Sequence, residues 1–304
     1  MRLKVGHLST LYHTSALMLA RAESLCSSYE NIEWQLFGTG PAIIEALGNK
    51  ELDIGYVGLP PAIIGIANGV RIKCVAGGHI EGTVMASHKD ADDHSRHSDP
   101  LDVLSQFNII GVPGNGSIHD LILRDAIDST GSPAKVVNFR WSDNLLEAFI
   151  KKEVDAVIGT PALAQSIIKF AGGKIVIPPE LLWPYNPSYG ILVREEIMVE
   201  QIEDIIEFLK CHKSASELLR TEMGPVSRDI SSYIKIVDKD FVMEALKISP
   251  HYCIAITDEY IDCSMRLAAR LKDLGYIERD VERAEIFDLS LVNKIHPEPD
   301  HYRI

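Results

Sequence analysis

Short apolar runs alternate with helix-period stretches along the first two-thirds of the chain. Leu3–Leu8, Ile32–Phe37, Ile54–Val57 and Val70–Gly77 are runs bounded by turn residues, the pattern of strands buried on both faces. Between them lie stretches of helical period. One runs from Tyr12 to Ser27, with Leu17, Leu19, Ala20 and Leu25 on its apolar face. A second covers Ala42–Gly48, and a third runs from Pro61 to Asn68. This β-α alternation predicts a largely parallel sheet with right-handed crossovers. After a further strand at Val84–Ser87 comes a polar, aperiodic stretch, residues 88–100, which reads as an exposed loop. A second α/β unit follows. Its strands fall near Asn108–Val112, Lys135–Asn138, Ala156–Ile158 and Lys174–Ile177, and its helices near Ile118–Ser129, Asp143–Lys151 and Pro161–Ala171. Tyr189–Val193 reads as a strand returning to the first unit. From Glu195 onward the period is helical: Met198–Cys211, Ser214–Glu222, Lys239–Lys247, Asp258–Leu274 and Glu282–Phe287, with Gly275 as a C-cap and an irregular tail.

Four times a strand runs through small residues straight into a helix: at Gly38-Thr39-Gly40, Gly58-Leu59-Pro60, Gly114-Asn115-Gly116-Ser117 and Gly159-Thr160. The first N–H groups of a helix lack internal partners and carry the positive end of the dipole. Such ends accept anions. Turn chemistry alone also explains each glycine and proline. The repeated Pro-Ala-Ile-Ile at 41–44 and 61–64 reflects local reuse of one turn, not a repeat architecture.

A chain of 304 residues has room for two domains and a sizeable core. Its net charge of −13 argues against a nucleic-acid partner, since phosphate binding needs basic patches. The five cysteines form no C-x-x-C pair; an odd count without framework spacing fits a reducing compartment. No apolar run is long enough to span a membrane. The chain opens directly on its first strand, without a leader. As written it reads as cytoplasmic, or as extracytoplasmic if a leader was removed.

Three stretches resemble the solute-binding proteins of ABC importers, in the branch of sulfonate, taurine and thiamine-precursor binders (SsuA/TauA-like). They are the opening strand, turn and helix from Val5 to Ala20, the block from Asp53 to Gly69, and the helical block from Ser249 to Ile277. The resemblance lies in their order and spacing. It implies the two-lobed, type II periplasmic-binding-protein fold: an α/β architecture with each lobe a mostly parallel sheet flanked by helices, plus a helical C-terminal extension. Residues 1–86 with 191–304 would form one lobe and 87–190 the other. Crossings would fall near Ala86–His88 and Ser188–Leu192, with a solute in the cleft between and hinge closure over it. An ABC permease would be the partner of the loaded, monomeric protein.

On this reading the ligand-binding candidates are Ser9, Thr10, Leu11, Tyr12 and His13 at the end of the first strand, where parallel sheets place ligands. The four junctions join them: Gly38, Thr39 and Gly40; Gly58, Leu59 and Pro60; Gly114, Asn115, Gly116 and Ser117; Gly159 and Thr160. Trp141 and Tyr189 would shape the organic part of the solute. His79 is the other histidine near the expected cleft. His88, His94 and His97, with Asp90, Asp92 and Asp93, match no zinc spacing and read as solvated loop. No nucleophile, zincin or redox motif is present, so neither catalytic residue nor cofactor nor metal is expected. The expected solute is small and anionic: a sulfonate, phosphonate or carboxylate. Two alternatives stay open: an enzyme on the same fold, of the thiamine-pyrimidine or menaquinone-pathway type, and a ligand sensor acting on another protein.

Overall fold

The computed structural model describes residues 2–26, 29–140 and 142–303. Among the described residues ten strands build two five-stranded sheets. The first contains β1 (Leu3–Leu8), β2 (Ile32–Phe37), β3 (Ile54–Val57), β4 (Ile72–Ile80) and β10 (Pro187–Arg194), in the order β2-β1-β3-β10-β4. The second contains β5 (Val84–His88), β6 (Ile109–Pro113), β7 (Lys135–Phe139), β8 (Ala156–Gly159) and β9 (Gly173–Ile177), in the order β7-β6-β8-β5-β9. In each sheet four strands run in one direction, as the β-α alternation predicts: β1 pairs parallel with β2 and β3 and β4 shares their direction, and β6 pairs parallel with β7 and β8 and β9 shares theirs. The strand that comes from the other lobe is inserted antiparallel, β10 between β3 and β4, and β5 between β8 and β9. All four residues of β3 and of β8 are buried, because helices cover both faces. This is the two-lobed periplasmic-binding-protein architecture.

The crossings differ from expectation by a few residues. β5 belongs wholly to the second sheet, so the chain crosses at Glu81-Gly82-Thr83, before Ala86–His88. The return runs through residues 178–186, ahead of β10. The first expected helix is also broken: Thr14–Ala20 and Ala22–Leu25 are separate, divided at Arg21, whose Nε donates to Asp229 at 2.6 Å. Conversely, the expected gap after Cys211 does not exist, since Ile202–Thr221 is one helix and continues into Met223–Ile234, which the sequence reading missed.

The lobes share one apolar core. It runs from Val5, Ile54 and Leu209 through Ile110 of the second sheet and Val103, Leu104 and Leu121 of the helical segments packed on it. A smaller cluster under Ser142–Ile150 and Pro161–Ala171 includes Leu145, Phe149, Val157 and Ile167. Lys239–Ile248 straddles the lobes, packing on both Met223–Ile234 and Pro161–Ala171; Phe241 stacks on Phe170 at 6.1 Å.

Cys26 and Cys211 form a disulfide across a separation of 185 residues, with Cα atoms 5.2 Å apart. This corrects the reading of the cysteines as scattered thiols of a reducing compartment. Sequence spacing hides the pair because it is made by helix packing, where Ala22–Leu25 meets Ile202–Thr221. Cys74, Cys253 and Cys263 are free. Among the described residues no helix is long and apolar enough to cross a membrane.

Candidate functional site

The site is built where the crossing between the sheets meets the end of β1. Glu81 takes a left-handed backbone at φ +58°, as does Tyr185 in the return crossing at φ +62°. Both are unusual for non-glycine residues, and such strain persists only where surroundings hold it. Here the two crossings hold each other. Glu81 N donates to Asn186 O at 2.7 Å, and Glu81 Oε1 accepts from Tyr185 N at 2.7 Å and from Arg303 Nη2 at 2.9 Å. The next residue, Gly82, donates its N–H to Ser188 Oγ at 2.7 Å. A Cβ at Gly82 would lie 2.5 Å from that oxygen and 3.2 Å from the Tyr12 ring, so only glycine fits. Thr83 Oγ1 lies 2.8 Å from His119 Nδ1, which ties the crossing to the first turn of Ile118–Thr130 in the second lobe.

Around this crossing stand buried aromatic rings. The Tyr12 ring lies 4.8 Å from His13, 4.9 Å from His79 and 6.4 Å from Tyr189. His13 packs against Tyr189 at 4.0 Å. His79 Nδ1 lies 2.9 Å from Ser188 Oγ and its Nε2 2.6 Å from Ser249 O. His212 bridges Thr14 Oγ1, 2.7 Å away, and Gly77 O, 2.7 Å away. One nitrogen stands apart: His13 Nδ1 is buried and has no hydrogen-bond partner among the described residues. A buried polar atom left unpaired costs about 1–3 kcal/mol, so it is a marked feature of a native site.

Burial decides the charge of these rings. Desolvation pushes His79 down to about 3 and His119 and His212 to about 4. It also lowers His7, and it lowers His13 well below the usual histidine value, aided by the neighbouring His79, His7, His119 and His212. The cluster is therefore neutral at pH 7, a set of ring N–H donors and lone pairs and not a positive patch.

The predicted residues divide into those at this floor and those elsewhere. Leu11, Tyr12, His13 and Tyr189 are buried in it; Ser9 is exposed and Thr10 half-buried at its rim. Gly58 caps its helix beside Ser188, whose carbonyl a Cβ there would meet at 3.5 Å, and Leu59 and Pro60 are buried. Thr39 caps Gly40–Gly48 by accepting from Ala42 N; Gly38 is exposed, and Gly40 packs on Val57 and Pro61. Thr160 likewise caps Pro161–Ala171, and Gly159 abuts Pro113. Trp141 lies outside the described residues.

The Gly114–Ser117 turn is the most altered by being seen in three dimensions. Several of its donors are taken by the chain itself. Gly116 N donates to Asp120 Oδ2 at 3.0 Å, and Ser117 Oγ donates to Pro113 O at 2.9 Å while capping Asp120 N. Gly114 N donates to Phe139 O at 2.8 Å. Asp120 is fully buried and also accepts from Arg124, Asn138 and Tyr276. An acidic group already sits on this helix end.

The same turn meets the first lobe. Tyr276 Oη lies 2.7 Å from Asn115 Oδ1, and Arg270 pairs with Asp125 at 3.1 Å and with Asp128. On the opposite flank Lys169 pairs with Asp238 at 2.7 Å. These hydrogen bonds and ion pairs bridge the two α/β units.

His79, Gly82, Thr83, His119, Ser188 and His212 are the floor residues that the junction pattern does not mark. A signal was present in Gly77-Gly78-His79, where paired glycines flank a histidine. Gly78 leaves the space into which the Tyr189 ring lies.

Comparison with known proteins completes the picture. The profile of the NMT1-like family matches residues 1–228. A Brucella abortus (strain 2308) protein with the provisional name of binding protein is 25% identical over 246 residues, covering 78% of this chain and 72% of its own. The fold superposes on the aliphatic sulphonate-binding protein SsuA of Escherichia coli with a TM-score of 0.79 at 16% identity, over 95% of this chain and 92% of that one. SsuA of Xanthomonas axonopodis pv. citri, bound to MOPS, gives 0.77 at 15% identity, over 94% and 98%. The nitrate-binding protein NrtA of Synechocystis PCC 6803 gives 0.76 at 11% identity, over 97% and 88%.

Proposed function

Since the chain belongs to the NMT1-like family, we propose that it is the solute-binding component of an ABC-type importer, closing its two lobes over a small organic oxyanion. The observation that carries the reading is His13 Nδ1: a buried ring nitrogen without a partner, set among Tyr12, Tyr189, His79 and His119 where the lobes meet. A sulfonate or carboxylate oxygen there would take the ring N–H and relieve the unpaired atom, and the aromatic rings would flank the organic part. Neutral donors suffice for an oxyanion in a water-excluded site, because each bond to a charged partner contributes about 1.5–3 kcal/mol. Selection then rests on shape and donor geometry. The names of the sulphonate- and nitrate-binding neighbours agree with this solute class.

On this reading, binding and release follow from closing and opening of the lobes. Solute reaches the floor only when the latches at Arg270, Tyr276 and Lys169 open, and the strained pair Glu81 and Tyr185 is the pivot. The permease reads the closed pair of lobes. The Cys26–Cys211 disulfide supports an extracytoplasmic address, where such bonds persist.

The test is a calorimetric and thermal-shift screen with taurine, short alkanesulfonates, MOPS, nitrate and a carboxylate series, with small-angle scattering for closure. Saturable binding with stabilisation and unchanged solute is the expected result. Conversion of the solute to product would replace this reading with catalysis on the same fold, and no binding to any oxyanion would end it.

A further inference from the structure

A second group of ligating side chains lies away from the solute floor. Cys253, His296 and His301 bring one ligating atom each to within 4.8 Å of one another. Cys253 Sγ is 2.9 Å from His296 Nε2 and 3.8 Å from His301 Nδ1. Cys253 and His296 are buried, and the two imidazoles stack with centroids 5.1 Å apart.

From these residues we propose a zinc-type metal site of one thiolate and two imidazoles that pins the C-terminal tail to the first lobe. The two histidines are spaced His-x4-His in His296-Pro297-Glu298-Pro299-Asp300-His301, within the spacing of structural zinc sites, and two prolines stiffen the segment between them. Tetrahedral zinc with ordinary Zn–S and Zn–N bonds holds sulfur and nitrogen about 3.5 Å apart. The sulfur to His301 separation already fits, and that to His296 needs to open by about half an ångström. A thiolate with two imidazoles selects a borderline-soft ion over calcium or magnesium.

The surroundings suit such an ion. Glu298 Oε1 lies 3.0 Å from His296 Nδ1, an ion-pair distance without hydrogen-bond alignment, leaving that nitrogen with no hydrogen-bond partner. A metal on Nε2 would fix the tautomer with a proton on Nδ1, and a small turn of the ring would aim it at the carboxylate. Glu298 is itself held by Lys213 at 2.5 Å. Three protein ligands leave a fourth position. The recess beside them is lined by Tyr252, whose buried hydroxyl has no hydrogen-bond partner among the described residues. Arg220 lines the same recess and opposes a cation; the thiolate and Glu298 offset it.

The consequence reaches the hinge. Beyond His301 the tail places Tyr302 O 2.7 Å from His251 Nδ1, Tyr302 Oη on Ala255 O at 2.8 Å, and Arg303 on the hinge carboxylate Glu81. A metal that holds His296 and His301 therefore holds the residues that brace Glu81.

The experiment uses the full chain stripped with a chelator, then titrated with Zn²⁺ against a chromophoric competitor and with Co²⁺ followed by absorption. One equivalent of Zn²⁺, a thiolate-to-cobalt charge-transfer band and a rise in melting temperature are expected. Cys253→Ser should abolish the band. His301→Ala, on a half-exposed side chain whose loss leaves the core intact, should weaken Zn²⁺ binding at least about 100-fold, and Glu298→Gln about 10–100-fold. Binding that is substoichiometric, lacks the charge-transfer band or is indifferent to His301→Ala would overturn the proposal. Because solute binding is read separately, failure here leaves the solute site standing.

Discussion

Two regions face the interlobe space with opposite fates. The Gly114–Ser117 turn of the second lobe has the composition of an anion seat, yet Asp120 already accepts its Gly116 N–H and binds it to Arg124, Asn138 and Tyr276. The floor of the first lobe, from Tyr12 to His13 with His79 and Tyr189, carries no strand-to-helix glycine turn of that kind, yet it keeps a buried ring nitrogen unspent. A helix end is a ligand site only if the protein has not satisfied it already. Accounting for every donor separates the two, and composition does not.

The largest expected effect separates them by acid. His79, His119 and His212 are depressed from 6.5 to about 3, 4 and 4. The unfolded chain therefore binds more protons than the folded one below pH 6.5. Their stabilisation is fully present above 6.5 and is lost as pH falls towards those folded values, by several kcal/mol in all. Chemical denaturation in the solute-free state from pH 7.5 to 4.5 checks this; a flat profile would mean that the rings are solvated. The Cys26–Cys211 bond anchors the helix carrying His212 beside Thr14. Replacing both cysteines with serine should cost about 2–5 kcal/mol by denaturant unfolding and loosen the floor more than the turn.

Asp120→Ala comes next, at roughly 3 kcal/mol, because it strips several buried partners at once. If the turn were instead a vacant anion seat, that variant would gain affinity for oxyanions and lose little stability. Gly82→Ala should cost about 1–3 kcal/mol through the clash with Ser188 and shift the lobes towards the open form in scattering. Smallest is Thr160→Ala, the loss of a cap worth about 1 kcal/mol, with solute affinity unchanged.

The α/β order, both sheets and the return of the chain through Tyr189–Val193 were legible, because buried strands and amphipathic helices leave periodic marks. The placing of Tyr12 and His13 just past the end of β1 was legible too. What was not legible depended on distant partners. The crossing at Glu81–Thr83 falls in the gap between the expected strands Val70–Gly77 and Val84–Ser87, and nothing local announces a positive φ on glutamate. His119 and His212 reach the floor from helices 36 and 198 residues away from the threonines they bond. Asp120 reads as an ordinary first-turn acid until Gly116, Arg124 and Asn138 are seen converging on it.

The most direct measurement is the calorimetric affinity of His13→Phe and Ser117→Ala for whichever oxyanion of the screen the native chain binds. Phenylalanine keeps the ring packing on Tyr189 and removes the nitrogen. The account predicts about a 10–100-fold loss for His13→Phe and less than about twofold for Ser117→Ala. The reverse order, with Ser117→Ala crippled and His13→Phe indifferent, would contradict it.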